Sequence, residues 1–169
     1  MALTGAPEGA SFVCMHLLLF LAVPLLAQTP CADVARLPNV TAAIQTATYC
    51  RVSITLRPSA DSEIKSEVWL PAPSEWNGKL LMEGGGGLVG SINTEGMTHA
   101  VREGYVSAST DTGHTGSSGR FSLGHPDKIT DFAYCAVHET AVEAALASRS
   151  MSPRHGSSGS RRASTRRTG

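Results

Sequence analysis

Four consecutive glycines, Gly84–Gly87, constrain this chain more than any other stretch. Glycine loses more backbone freedom on ordering than any other residue, so a run of it stays ordered only where the chain must turn through positive φ or approach another group closely. The run follows a short apolar segment, Lys79–Met82, and precedes a predicted helix over Ile92–Glu103. Gly104 then falls where a helix C-cap prefers glycine. The local order is therefore strand, glycine loop, helix.

The flanking sequence extends this unit. Arg51–Pro58 sets Val52, Ile54 and Leu56 against Arg51, Ser53, Thr55 and Arg57, the period of a half-buried strand. Glu63–Leu70 alternates again through Ile64, Val68 and Leu70, and the turn-like segment between the two predicts a hairpin. Tyr105–Thr110 reads as a strand ending at Asp111, followed by a Gly/Ser-rich loop over Thr112–Pro126. A second helix is predicted to open at Asp131, with Phe132, Cys135, Val142 and Leu146 near helical spacing. Two antiparallel strands followed by αβ alternation give an α/β sheet. The 41% hydrophobic and 17% charged content excludes a collagen-like, coiled-coil or wholly disordered chain.

The glycine loop has two chemical readings and one without chemistry, a plain turn. Gly85-x-Gly87-x-x-Gly90 matches a dinucleotide-binding fingerprint, and Asp111 lies about 20 residues on, where a ribose-binding acid would sit. Glu83 opposes this reading by placing a carboxylate beside the pyrophosphate position. In the second reading the loop follows the third strand counted from Arg51 and offers a backbone N–H to the oxyanion that develops during acyl transfer.

The runs SEVWLPAPSEWNGKLLMEGGGGLVGSI, REGYVSASTDTGH and HPDKITDFAYCAVHETA together resemble the tannase and feruloyl esterase family of α/β-hydrolases, over Cys31 to about Ala147. The resemblance implies a secreted or periplasmic serine esterase of aromatic-acid esters. It gives Gly86 as the oxyanion-hole donor and pairs Cys31 with Cys50, leaving Cys135 free. Asp111, Thr112, Gly113 and His114 match the family's loop after the fourth strand, with no catalytic role assigned to His114; a lone loop histidine is more often structural. Asp131 and Phe132 match the start of a helix, and Cys135 stands where the pattern has arginine.

The expected fold is an incomplete α/β-hydrolase: four N-terminal strands and flanking helices at residues 28–147, in a mostly parallel sheet with an antiparallel start. Residues 1–27 are predicted to be a signal peptide, since Ser11–Ala27 is an apolar run too short for a comfortable membrane span. Ser148–Gly169, rich in Ser and Arg, reads as a disordered and off-frame tail. Six of the 14 basic residues lie beyond Ala147 and all 14 acidic ones before it, so the body is net acidic and a poor nucleic-acid binder. No G-x-S-x-G occurs, and neither Ser117-Ser118 nor Ser157-Ser158 follows a strand. The chain is therefore expected to lack nucleophile, acid and catalytic histidine, and to be inactive alone. No cofactor or metal is expected in it; the calcium site of many family members belongs to their lid. No membrane contact is expected after signal cleavage, and the substrate of the full-length relative would be a small aromatic-acid ester.

Overall fold

A computed structural model describes residues 30–152, so the predicted signal segment and the basic tail lie outside the described residues. Within them, α1 (Pro30–Val34) leads into β1 (Val40–Gln45), β2 (Tyr49–Leu56), β3 (Ile64–Pro71) and β4 (Leu80–Glu83). Then come α2 (Thr94–Arg102), β5 (Val106–Thr110), a 3-10 turn at Gly119–Ser122, α3 (Pro126–Thr130), a π-helical turn at Asp131–Cys135 and α4 (Ala136–Ser148). None of the described helices is long and apolar enough to cross a membrane.

The five strands form one sheet in the order β1-β2-β3-β5-β4. The hairpin read from Arg51–Leu70 is present as the β2–β3 pair, with Tyr49 opposite Pro71 and Leu56 opposite Ile64. The sheet is mixed rather than mostly parallel. Three of its pairings are antiparallel, and only β4–β5 is parallel. The reason is connectivity: a parallel pair needs a crossover, and α2 is the one helix that joins two described strands as a crossover. β5 lies inside the sheet and β4 at its edge.

Alternation along the strands divides the side chains between two layers. Val52, Ile54 and Leu56 of β2, Ile64, Val68 and Leu70 of β3, and Val106 and Ala108 of β5 pack with α1 and α4 in the larger core. On the opposite face Trp69 packs with Met97 and Val101 of α2. Beside them Arg51 makes a bidentate pair with the nearly buried Glu67, which also accepts the Trp69 indole N–H at 2.7 Å. Tyr49 stacks on Trp69 with ring centroids 4.6 Å apart. Cys31 and Cys50 form a disulfide that ties α1 to β2, with Cα atoms 5.4 Å apart, and Cys135 is free.

The second helix departs from expectation. It begins at Pro126, with proline in the first turn, where its missing N–H costs nothing. The π turn then shifts the helical phase, so Phe132, Cys135 and Val142 do not form the inward stripe. The buried positions are Ala136, Thr140, Glu143, Ala144 and Ala147. These small residues let α4 lie close on the sheet, where Thr140 and Ser66 share a buried hydrogen bond of 2.6 Å. The π turn also buries the Asp131 side chain, whose Oδ2 has no hydrogen-bond partner among the described residues. A small cavity of about 130 Å³ is lined by Asp131, Cys135, Asp127 and Ser62.

An orphaned buried carboxylate oxygen beside Cys135, the position where the family pattern has arginine, gives a direct test. Cys135→Arg is expected to stabilise the chain by about 1–2 kcal/mol through a charge-assisted hydrogen bond. The gain should vanish in an Asp131→Asn background, measured as a double-mutant cycle by chemical denaturation.

Candidate functional site

Because β4 and β5 are parallel, with Glu83 opposite Ser109, their C-terminal ends lie side by side and release two loops at one end of the sheet. One is the glycine loop after β4; the other runs from Asp111 to Gly116. The two are fastened together. The Gly90 N–H donates to the Gly116 carbonyl at 2.6 Å, and the His114 Nε2 lies 3.0 Å from the Leu88 carbonyl. That carbonyl can only accept, so Nε2 carries the proton. A Cβ on Gly90 would stand 2.5 Å from the His114 carbonyl oxygen, which is why this position is glycine.

His114 is a structural residue. It is buried, stacks on Phe121 at 3.9 Å, and meets Phe132 edge-on at 5.6 Å. Its Nδ1 lies 3.2 Å from the Thr112 hydroxyl, so both ring nitrogens are engaged. Phe121 was not singled out by the sequence; nothing in a Gly/Ser-rich loop marks one phenylalanine as a histidine's floor.

Asp111 faces inward as well. Its Oδ1 accepts the backbone N–H of Lys65 at 3.0 Å and of Gly113 at 2.8 Å. Burial raises its carboxyl above its ordinary value, and these two hydrogen bonds oppose the shift without cancelling it. A cleft of about 540 Å³ opens beside it, lined among others by Glu63, Lys65, His114, Arg120 and Lys128.

The glycine loop itself is held at its ends and open in the middle. Asn93 caps α2, accepting the Gly96 N–H at 3.0 Å. Its amide also donates to the Gly84 carbonyl at 3.2 Å, and its own N–H donates to the Ser109 hydroxyl at 3.0 Å. Asn93 thus fixes loop, helix and central strand to one another. An asparagine three residues before Gly96, ahead of Thr94 and Glu95, is a helix N-cap pattern that the sequence offered and that the longer helix assignment passed over. Between the anchors, Gly86 and Gly87 have φ of +70° and +55°, and a Cβ on either would meet nothing within 4 Å. No backbone hydrogen bond among the described residues uses the N–H of Gly85, Gly86 or Gly87.

The dinucleotide reading finds no support in this geometry. α2 starts at Thr94, beyond the glycines rather than on them. Its N-terminus is already met by the Asn93 cap and by the Glu83 carboxylate, which would stand 2.6 Å from a Cβ on Gly96. Gly90 serves the loop-to-loop contact, and Asp111 is turned to backbone N–H groups. Among the described residues no group of three His, Cys, Asp or Glu is placed to hold a metal ion, and no serine side chain is hydrogen-bonded to a histidine.

The fold is that of an α/β protein whose open, ligand-accessible backbone lies at the C-terminal ends of its parallel strands, where α/β sheets bind ligands. Residues 50–158 match the family described as tannase and feruloyl esterase, and the chain belongs to that family. The match begins at Cys50 and runs past Ala147. A probable feruloyl esterase B-1 of Aspergillus fumigatus is 35% identical over 104 residues, which cover 62% of this chain and 19% of that protein. An uncharacterized esterase of Xanthomonas campestris pv. campestris is 43% identical over 94 residues, covering 54% of this chain and 16% of its own. The crystal structure of an esterase from Aspergillus oryzae superposes with a TM-score of 0.63 at 26% identity, over 73% of this chain and 30% of that one. The chain thus spans about a fifth of the length of the curated relatives it matches.

Two substitutions separate the roles of the glycines. Gly90→Ala is expected to cost about 3 kcal/mol, because a rigid backbone carbonyl lies in the way. Gly86→Ala should cost only about 1 kcal/mol, the strain of a left-handed non-glycine residue in open space. Thermal unfolding of both variants checks the order. For Asp111, a carboxyl raised by burial stabilises the fold most when protonated, and the benefit is lost as pH rises through its raised folded pKa. Asp111→Asn keeps the Oδ1 acceptor and removes the charge. It should therefore be neutral or stabilising at pH 7 and progressively less so as pH falls to the ordinary carboxylate value of about 3.9. Urea midpoints at a series of pH values read the difference.

Proposed function

We propose that this chain carries the oxyanion side of a carboxylic ester hydrolase acting on esters of aromatic acids. The observation that carries the reading is the N–H of Gly86, which no hydrogen bond among the described residues uses, on a backbone held in left-handed φ, with open space where a side chain would be. In acyl transfer the carbonyl oxygen gains charge as the carbon becomes tetrahedral, and a fixed N–H aimed at it is worth about 10²–10³ in rate. Family membership supports ester hydrolysis as the chemistry, and the relatives named feruloyl esterase support the aromatic-acid substrate class.

The division of labour follows from the residues. Gly86 polarises the carbonyl. Asn93, through the Gly84 carbonyl and the Ser109 hydroxyl, keeps the loop from collapsing onto the sheet. His114 and Gly90 hold the second loop against the first. Among the described residues no serine stands on a tight turn between a strand and a helix, and no serine side chain is hydrogen-bonded to a histidine, which supports placing the nucleophile, its acid and its base elsewhere. Ser107 and Ser109 lie within β5 and are buried. We assign those groups to the part of the family domain that this chain does not span, and read the chain on its own as an inactive fragment of an exported enzyme. The Cys31–Cys50 bridge fits an oxidising compartment.

The purified chain is expected to leave methyl ferulate, methyl gallate and short p-nitrophenyl esters unhydrolysed. A turnover blocked by a serine-directed phosphonate, with the label recovered on a serine of this chain, overturns the division of labour. Grafted in place of the matching segment of an active feruloyl esterase, residues 50–147 should support hydrolysis. In that chimera Gly86→Ala should lower kcat by about tenfold or more with little change in KM.

A further inference from the structure

We infer that Glu83 is a positioning residue: its carboxylate, seated against the first turn of α2 in the room that Gly96 leaves, locks the start of the glycine loop to that helix. The consequence for catalysis rests on the oxyanion reading of Gly86; the lock itself does not. Glu83 is half-buried, ends β4 opposite Ser109 of β5, and is followed directly by the loop. A Cβ on Gly96 would stand 2.6 Å from Glu83 Oε2 and 2.9 Å from its carboxyl carbon. The carboxylate therefore already fills the place of a side chain at Gly96. Gly96 does not have a positive φ, so its backbone conformation does not call for glycine. Glycine is also a poor helix former. The room it leaves for Glu83 is the reason for it.

The seat suits a carboxylate. Counted from the Asn93 cap, Gly96 is the third helical residue, where a capping box carries its own Glu or Gln. Here the acid is supplied from β4 instead. The N–H groups at the start of a helix give that end partial positive charge, which favours an anion. The same seat serves the proposed oxyanion donor three residues on. A carboxylate free to turn toward Gly86 would repel the charge that develops there, whereas one held at the helix end is partly neutralised by it.

Glu83 works beside Asn93. The Asn93 amide nitrogen, which donates to the Gly84 carbonyl, would lie 2.9 Å from the same Cβ on Gly96. The Asn93 N–H reaches the Ser109 hydroxyl, and Ser109 is the strand neighbour of Glu83. Residues 83, 84, 93, 96 and 109 thus close a ring of contacts within one stretch of the chain. Asn93 holds the loop by a carbonyl, and Glu83 holds the strand end from which the loop departs. With only the first anchor the loop can pivot about Gly84, and a pivoting loop loses the fixed aim that an oxyanion donor needs.

The experiment uses the whole chain, nitrogen-15-labelled and exported to the periplasm of a bacterial host, with thermal unfolding recorded for each variant. Backbone order parameters of Gly85, Gly86 and Gly87 are expected at about 0.85, the value of rigid backbone. Glu83→Ala should lower them below about 0.6, the flexible range, while Gly104 at the far end of α2 stays unchanged. Gly96→Ala separates loop order from stability. Alanine favours the helix, and the atoms it meets are the ends of flexible side chains, so the unfolding temperature should hold or rise. The three loop glycines should nevertheless loosen as in Glu83→Ala. A native loop already in the flexible range overturns the proposal, as does a loop that stays rigid in Glu83→Ala. Equal loss of order at Gly104 overturns it too, by marking a general weakening of α2. Loosening in Gly96→Ala without loosening in Glu83→Ala assigns the effect to Asn93 and overturns it as well. If Glu83→Ala fails to fold, Glu83→Asp, one methylene short of the seat, replaces it with the same expected loosening. A lock that behaves as expected, beside an unchanged kcat for Gly86→Ala in the chimera, would retire the oxyanion reading alone; a rigid loop in every variant retires the lock alone.

Discussion

The pairing of β3 with β5 is the contact on which the rest of this structure rests. It joins the N-terminal hairpin to the strand–glycine loop–helix–strand unit, two parts that share no other strand pairing. Around Lys65 the seam is reinforced three times: by the Asp111 N–H on its carbonyl at 2.9 Å, by its own N–H on Asp111 Oδ1, and by the Thr110 hydroxyl. Ser66, Val68 and Ala108 bury one side of the seam under α1 and α4, while Trp69 and Ser107 lie on the side that faces α2. Breaking the seam would uncover both cores at once, because β5 is also the only described strand that holds β4.

The site is a by-product of the same arrangement. Parallel β4 and β5 deliver two loops to one end of the sheet, and each loop has one residue that can only be what it is. Gly90 has to be glycine because the His114 backbone occupies the place of its side chain. His114 serves by donating through Nε2 to a backbone carbonyl and filling the space between Phe121 and Phe132. This packing leaves the middle of the glycine loop open, Gly86 and Gly87 together, supported at a distance by the Asn93 amide. The oxyanion role proposed for Gly86 depends on such support, since a loop that had to reorganise during reaction would lose the benefit of a preorganised dipole.

Much of this was legible in the residues. The alternation of Val52, Ile54 and Leu56, and of Ile64, Val68 and Leu70, marked β2 and β3 to within two residues, because one face of each is fully buried. Gly104, with φ of +79° behind α2, ended that helix where expected. The Cys31–Cys50 bridge was expected from the family resemblance and is present. β1 was not seen. Its six residues are at most half-buried, and Ile44 is 57% exposed, so no period-2 contrast reached the sequence. The stripe of α4 was misread because a π turn inserts one residue into the helical count, which no sequence periodicity reveals in advance. The αβ alternation after the hairpin points to a mostly parallel sheet, but the described strands pair chiefly by hairpin and by the long β3–β5 return.

That return has a consequence in time. Thr110 and Lys65, bonded across the seam, are 45 residues apart in the chain. The β2–β3 hairpin needs only a short turn and forms on the microsecond scale of local structure. The β3–β5 seam must close a loop that includes β4, the glycine run and α2, and its loop entropy is spent before any of its contacts forms. Contacts of high sequence separation slow folding. The β3–β5 seam is therefore the slow, non-local step of assembly and the β2–β3 hairpin the fast, local one, and β4 gains its place in the sheet only when that seam has brought β5 in.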